Sequence, residues 1–156
     1  MTGKNFVMKF IATFFTLNML IFIPARAEVT AMQPEIRLGI GERPGVMFAM
    51  LNNKGAATRL FSAKSPSFAR IELHTHRIMP NGIVRMVQVD GFAVPADGNL
   101  VLKPGGHHLM LFGYKGQKGE NITVTLEFSD GRAVTVAAAP SQRTRAGDKK
   151  LQHHSH

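Results

Sequence analysis

Between Val29 and about Ala138 the chain never keeps a helical period for three turns. It breaks instead into short apolar or alternating runs punctuated by Gly, Pro and Asn, which is the patterning of an all-β protein. The runs predict strands over Glu35 to Gly39, Val46 to Asn52, Thr58 to Ala63, Ala69 to Ile78, Ile83 to Val89, Leu100 to Lys103, His107 to Phe112, Ile122 to Phe128 and Ala133 to Ala137. Short strands at such intervals build a β-sandwich or Greek-key barrel in which alternate side chains fill the core.

Because successive strand side chains point to opposite faces, alternation also sorts the polar residues. Leu109 and Leu111 share one face, and His108 and Met110 the other. Ile71, Leu73 and Thr75 face one way; Glu72, His74 and His76 face the opposite way, and His107 points away from His108. Met86 depends on the turn before it. A two-residue turn at Asn81-Gly82 pairs Arg77 with Met86 and puts His74 on the other face. A three-residue loop Pro80-Asn81-Gly82, with Gly82 left-handed, sets His76 opposite Met86 and His74 diagonally on the same face; a β-bulge would act similarly. Met32, Met47, Met50 and Met79 fit no such pattern and read as packing residues.

Composition narrows the setting. Residues 1–27 carry Lys4 and Lys9, an apolar run from Phe10 to Ile23 and then Pro24-Ala25-Arg26-Ala27. The run is short for a membrane span, and the small residues at Ala25 and Ala27 suit cleavage, so it reads as a secretory signal peptide with Glu28 as the mature start. The remaining 129 residues suffice for one domain, residues 28–139. With no Cys among the 156 residues, disulfides, Cys-based zinc sites, thiolate-ligated blue copper and lipid attachment through a thiol are all outside the expectation. The formal charge of +9 becomes +6 once Lys4, Lys9 and Arg26 are removed. That balance favours acidic partner surfaces. Basic residues are scattered and not interleaved with aromatics, so nucleic acid is not an expected partner. Residues 140–156 turn basic and polar and read as a disordered tail. Its His153, His154 and His156 are either a tag remnant or an auxiliary hook for Cu(II), which imidazole suits.

The chemistry concentrates between Ile71 and Tyr114. Two imidazoles and two thioethers converging on one point would form a soft, uncharged site that suits Cu(I) better than zinc, magnesium or calcium. Eleven residues separate His74 from Met86, twenty-one separate Met86 from His108, and one separates His108 from Met110. This spacing, together with Val94-Pro95-Ala96 and Leu102-Lys103-Pro104-Gly105-Gly106, resembles the periplasmic copper chaperones of the PCu(A)C family, from about Val46 to Val136. The resemblance implies a cupredoxin-like fold and Cu(I) held by His74, Met86, His108 and Met110; the three-residue loop, and not the family pattern, adds His76 as a reserve ligand. It also implies delivery to a periplasmic acceptor: the cytochrome oxidase subunit that carries the binuclear copper centre, or its assembly factors. Many members of the family carry Met where this chain has Thr75, so a fifth thioether is not expected.

A monomeric, non-enzymatic carrier that does not stay in the membrane after cleavage is the leading expectation. A metal-free β-sandwich acting in adhesion or assembly is the alternative. A copper oxidoreductase ranks below both, because Glu28 is no N-terminal His ligand, and neither a nucleophile elbow nor an HExxH motif supports a hydrolase.

Overall fold

The computed structural model describes residues 29–117 and 119–142. The predicted signal peptide, the remainder of the tail and His153, His154 and His156 lie outside these residues. Eleven strands follow one another: β1 (Val29–Leu38), β2 (Gly45–Asn53), β3 (Thr58–Lys64), β4 (Phe68–Ile78), β5 (Val84–Gln88), β6 (Phe92–Val94), β7 (Gly98–Leu102), β8 (His108–Tyr114), β9 (Ile122–Phe128), β10 (Ala133–Ala138) and β11 (Pro140–Gln142). There is no helix among the described residues, and the fold is the all-β class predicted.

Two sheets pack face to face. One runs β11-β1-β2-β8-β4-β5, with β7 also paired to β2, and the other runs β10-β9-β3-β6. Leu51, Leu60, Leu109, Leu111, Leu126 and Phe128 are sealed between them. Strand β2 forks the larger sheet: its first residues pair with β8 (Met47 with Leu109) and its later ones with β7 (Ala49 with Leu102). One buried polar residue, Asn53, is fully used. Its amide donates to the carbonyls of Ala56 (2.8 Å) and Pro95 (2.9 Å), as a buried polar group must.

All nine predicted strands are present, and the differences have local causes. The first begins six residues early because the chain stays in the sheet through Pro34 by bulging at Gln33, where φ is 49° and the pairing with β2 shifts. β6 has three residues, too few to show a period. The domain also outruns its expected end at residue 139: β11 lies parallel to β1, and Ser141 Oγ donates to the Ile36 carbonyl (3.3 Å). Backbone pairing there needs no apolar sequence. Only Met47 of the four methionines read as packing residues lies in the core; Met32 is exposed and faces Met50 across β1 and β2, because even-numbered residues of β2 point outward.

The two faces should respond differently to truncation. Leu109→Ala removes a fully buried side chain and should cost about 2–5 kcal/mol, whereas Met86→Ala on the outer face should stay within roughly 0.5 kcal/mol. Urea unfolding of the two variants measures this, and equal losses would contradict the assignment of faces.

Candidate metal centre

The outer face of β8, β4 and β5 carries the predicted residues. Leu109 and Leu111 are buried, and so are Leu73 and Thr75 on the inward side of β4, which leaves His108, Met110, Glu72, His74 and His76 on the other side. The inward direction of Thr75 means that any side chain at that position is turned away from the histidines. Register then aligns the outward set: His74 lies opposite His108, Glu72 opposite Met110, and His76 opposite Met86.

The Met86 alignment comes from the loop. Met79 N–H donates to the Ile83 carbonyl and Gly82 N–H to the Met79 carbonyl, both at 2.8 Å, closing Pro80-Asn81-Gly82 as a three-residue loop with Gly82 at φ 78°. That left-handed position costs glycine little. Of the two loops compatible with the sequence, this is the one that puts Met86 on the histidine face. His74 is thereby diagonal to Met86 on one side and to Met110 on the other, at separations of about 7–8 Å that a thioether can bridge. Met86 is 47% exposed; Met110 is half-buried.

His108 sits at the fork of the sheet, against the turn that precedes it. In Lys103-Pro104-Gly105-Gly106 the proline takes the second position, Gly105 the third with φ 73°, and Gly106 N–H donates back to the Lys103 carbonyl (3.1 Å). This is the residue order of a type II turn. It aims the Gly106 carbonyl at His108, whose Nδ1 donates to it at 2.9 Å, with His76 Nδ1 at 3.5 Å from the same oxygen. His108 is 2% exposed. Its ring centroid is 5.5 Å from that of His76, 6.1 Å from that of His74 and 6.4 Å from that of Phe48. Burial, with some repulsion from the neighbouring imidazoles, holds it below the ordinary imidazole pKa despite the opposing Gly106 bond, so the ring is neutral at pH 7.

His74 is oriented by a carboxylate. Its Nε2 donates to Glu72 Oε2 (2.9 Å), and Arg70 Nε donates to Glu72 Oε1 (2.7 Å). The Arg70 guanidinium lies 4.0 Å from the centroid of the Phe112 ring. Arg70 first, and His74 second, hold the Glu72 carboxyl below its usual range. A neutral imidazole that donates through one nitrogen carries a lone pair on the other. The other nitrogens, His74 Nδ1 and His108 Nε2, are buried and have no hydrogen-bond partner among the described residues.

Leaving a buried polar atom unsatisfied costs about 1–3 kcal/mol, so two on adjacent rings fit a cation better than a structural role. Among the described residues no group of three or more His, Asp or Glu is arranged to hold a metal. Glu72, Arg70 and the Gly106 carbonyl were not among the predicted site residues. The Glu-x-His spacing on one strand face was the available signal for the first. His107 stacks on Phe92 at 4.4 Å between centroids, away from the site as expected. A cleft lined by Leu38, Phe68 and Tyr114 lies at the other end of β8.

Long-range proton–nitrogen NMR of the metal-free protein should find the proton on Nε2 of His74 and on Nδ1 of His108. Glu72→Ala should leave His108 unchanged and mix the His74 tautomers. The opposite tautomer on either ring in the parent protein would contradict the site.

Residues 25–140 match the family described as "Putative lipoprotein LpqE-like". The chain is 38% identical over 94 residues to a protein of Leifsonia xyli subsp. xyli named as a lipoprotein, covering 58% of this chain and 56% of the relative. It is 29% identical over 116 residues to an uncharacterized protein of Rickettsia prowazekii, covering 69% and 64%, and so spans less than two thirds of either relative. Among solved structures it is similar to the copper(I) form of DR1885 from Deinococcus radiodurans, with TM-score 0.59, 30% identity and coverage of 76% of this chain and 83% of that one. The copper-bound PCuAC domain of PmoF2 shares the fold, with TM-score 0.59, 22% identity and coverage of 73% and 92%. The chain therefore belongs to the LpqE-like family and has the cupredoxin-like fold of the PCuAC domains.

Proposed function

We propose that this protein is an exported copper chaperone that carries Cu(I) on the outer face of β8, β4 and β5. His74 Nδ1 and His108 Nε2 supply two ligands, and Met86 and Met110 close over the ion from either side. His76 stands in reserve beside Met86. The observation that carries the reading is the pair of buried, partnerless imidazole nitrogens flanked by methionines. Four neutral donors, two of them thioethers, suit a soft monovalent ion and leave it without a charge-neutralising thiolate, so it can be passed on. The likeness to copper-bound structures supports the same reading.

The ion is cargo here, and no catalysis is proposed. A buried imidazole pair with one exposed thioether, Met86, at its edge suits hand-over between proteins. Its acceptor, following the resemblance, is the oxidase subunit with the binuclear copper centre or an assembly factor in the periplasm. Lipoprotein descriptions among the relatives support export. The tail histidines are proposed as a separate Cu(II) hook.

Competition against a Cu(I) chelator under reducing conditions should give one ion per chain. His74→Ala and His108→Ala should each weaken binding at least about tenfold, roughly 1.4 kcal/mol, with the fold intact by circular dichroism. Unchanged affinity in both variants would overturn the reading. Because β11 ends at Gln142, truncation belongs after that residue. The shortened chain should keep its Cu(I) and lose a Cu(II) equivalent; retention of both ions would remove the hook.

A further inference from the structure

Beyond the copper ligands, the end of the β4–β5 hairpin has two features that the fold does not use. Four of the eight exposed large apolar side chains among the described residues are here: Ile78, Ile83, Val84 and Met86. Ile78 pairs with Val84 and His76 with Met86, so Ile78 and Val84 extend the histidine face outward in one continuous apolar strip. Ile78 is 78% exposed and Val84 57%. On the reverse face Arg77 stands directly opposite Arg85. Like charges across a strand pair are destabilising, yet neither guanidinium makes a hydrogen bond or ion pair among the described residues.

The hairpin extends past the packed part of the sandwich. Every residue from Arg77 to Met86 except Met79 is exposed, and β5 is the open edge of its sheet. Continuous exposed apolar surface marks an interaction site. Here whatever covers it also covers Met86, and hence the ion. A second copy of the chain would bring four arginines together. A lipid surface would bury the thioether away from any acceptor. The surface that complements the hairpin is apolar against Ile78, Val84 and Met86 and carries carboxylates that reach round the open edge to Arg77 and Arg85.

We propose that the β4–β5 hairpin is the docking element for an acidic copper-accepting protein, which clasps it by the Ile78–Val84 strip and the Arg77–Arg85 pair. This rests on the copper reading and adds to it the place and chemistry of hand-over. Charge across such an interface acts mainly on encounter rate and partner choice, and apolar contact on residence.

The test is stopped-flow transfer from the full Cu(I)-loaded chain to a soluble apo oxidase copper domain chosen for a carboxylate-rimmed site. It is repeated with that rim changed to amides, and Cu(I) affinity is measured separately with a chelator. The variants are R77Q/R85Q and I78S/V84S, all at exposed positions. Each should bind Cu(I) as the parent does. R77Q/R85Q should transfer about tenfold or more slowly at low salt and lose the salt dependence, and the amide rim should slow the parent likewise. I78S/V84S should slow transfer at all salt concentrations. Parent-like transfer by both variants with affinity intact would overturn the docking element alone. So would parent-like transfer together with lost binding to phosphatidylglycerol vesicles, which would assign the hairpin to a lipid surface. A parent chain that takes up no Cu(I) would instead remove the copper reading and this inference with it.

Discussion

The register of β8 against β4 sets His74 beside His108, and the rest of the site depends on it. A slip of one residue would turn Leu109 and Leu111 to solvent and bury His108 and Met110 between the sheets, because the side-chain period of a strand is two. Burial of the leucines therefore fixes the position of the imidazoles. Over the first half of β8 the core uses Leu109 and Leu111 and leaves His108 and Met110 on the opposite face. The site thus exists without weakening the packing beneath it.

Orientation follows from groups near the rings. The Gly106 carbonyl and the Glu72 carboxylate each accept a hydrogen bond from one ring nitrogen, which leaves the other nitrogen of each ring buried and without a partner among the described residues. Such outer partners set the tautomer and basicity of a ligating histidine. The cost of two unsatisfied nitrogens is borne by a scaffold whose stability lies in the leucine and phenylalanine core. In the proposed reading the thioethers need less preparation, since Met86 stands exposed on the open edge strand.

Much of this was readable in the chain. Alternation alone separated His108 and Met110 from Leu109 and Leu111, and His74 and His76 from Leu73 and Thr75, since both strands have one buried face. Met86 was ambiguous because Asn81-Gly82 suits a two-residue turn; hydrogen bonds between Met79 and Ile83 resolve it for the longer loop. The bulge at Gln33, the short β6 and the parallel β11 were hidden for a common reason. Each is held by backbone pairing, which leaves little trace in side-chain pattern. The link from Arg70 through Glu72 to His74 was hidden as well, since strand spacing shows a shared face but not a hydrogen bond.

X-ray absorption at the copper edge of the Cu(I)-loaded protein tests the central claim most directly, because it counts sulfur and nitrogen neighbours. The account predicts two nitrogen and two sulfur scatterers, with one sulfur lost in Met86→Ala and one in Met110→Ala. A first shell without sulfur, or one unchanged in both variants, would contradict it.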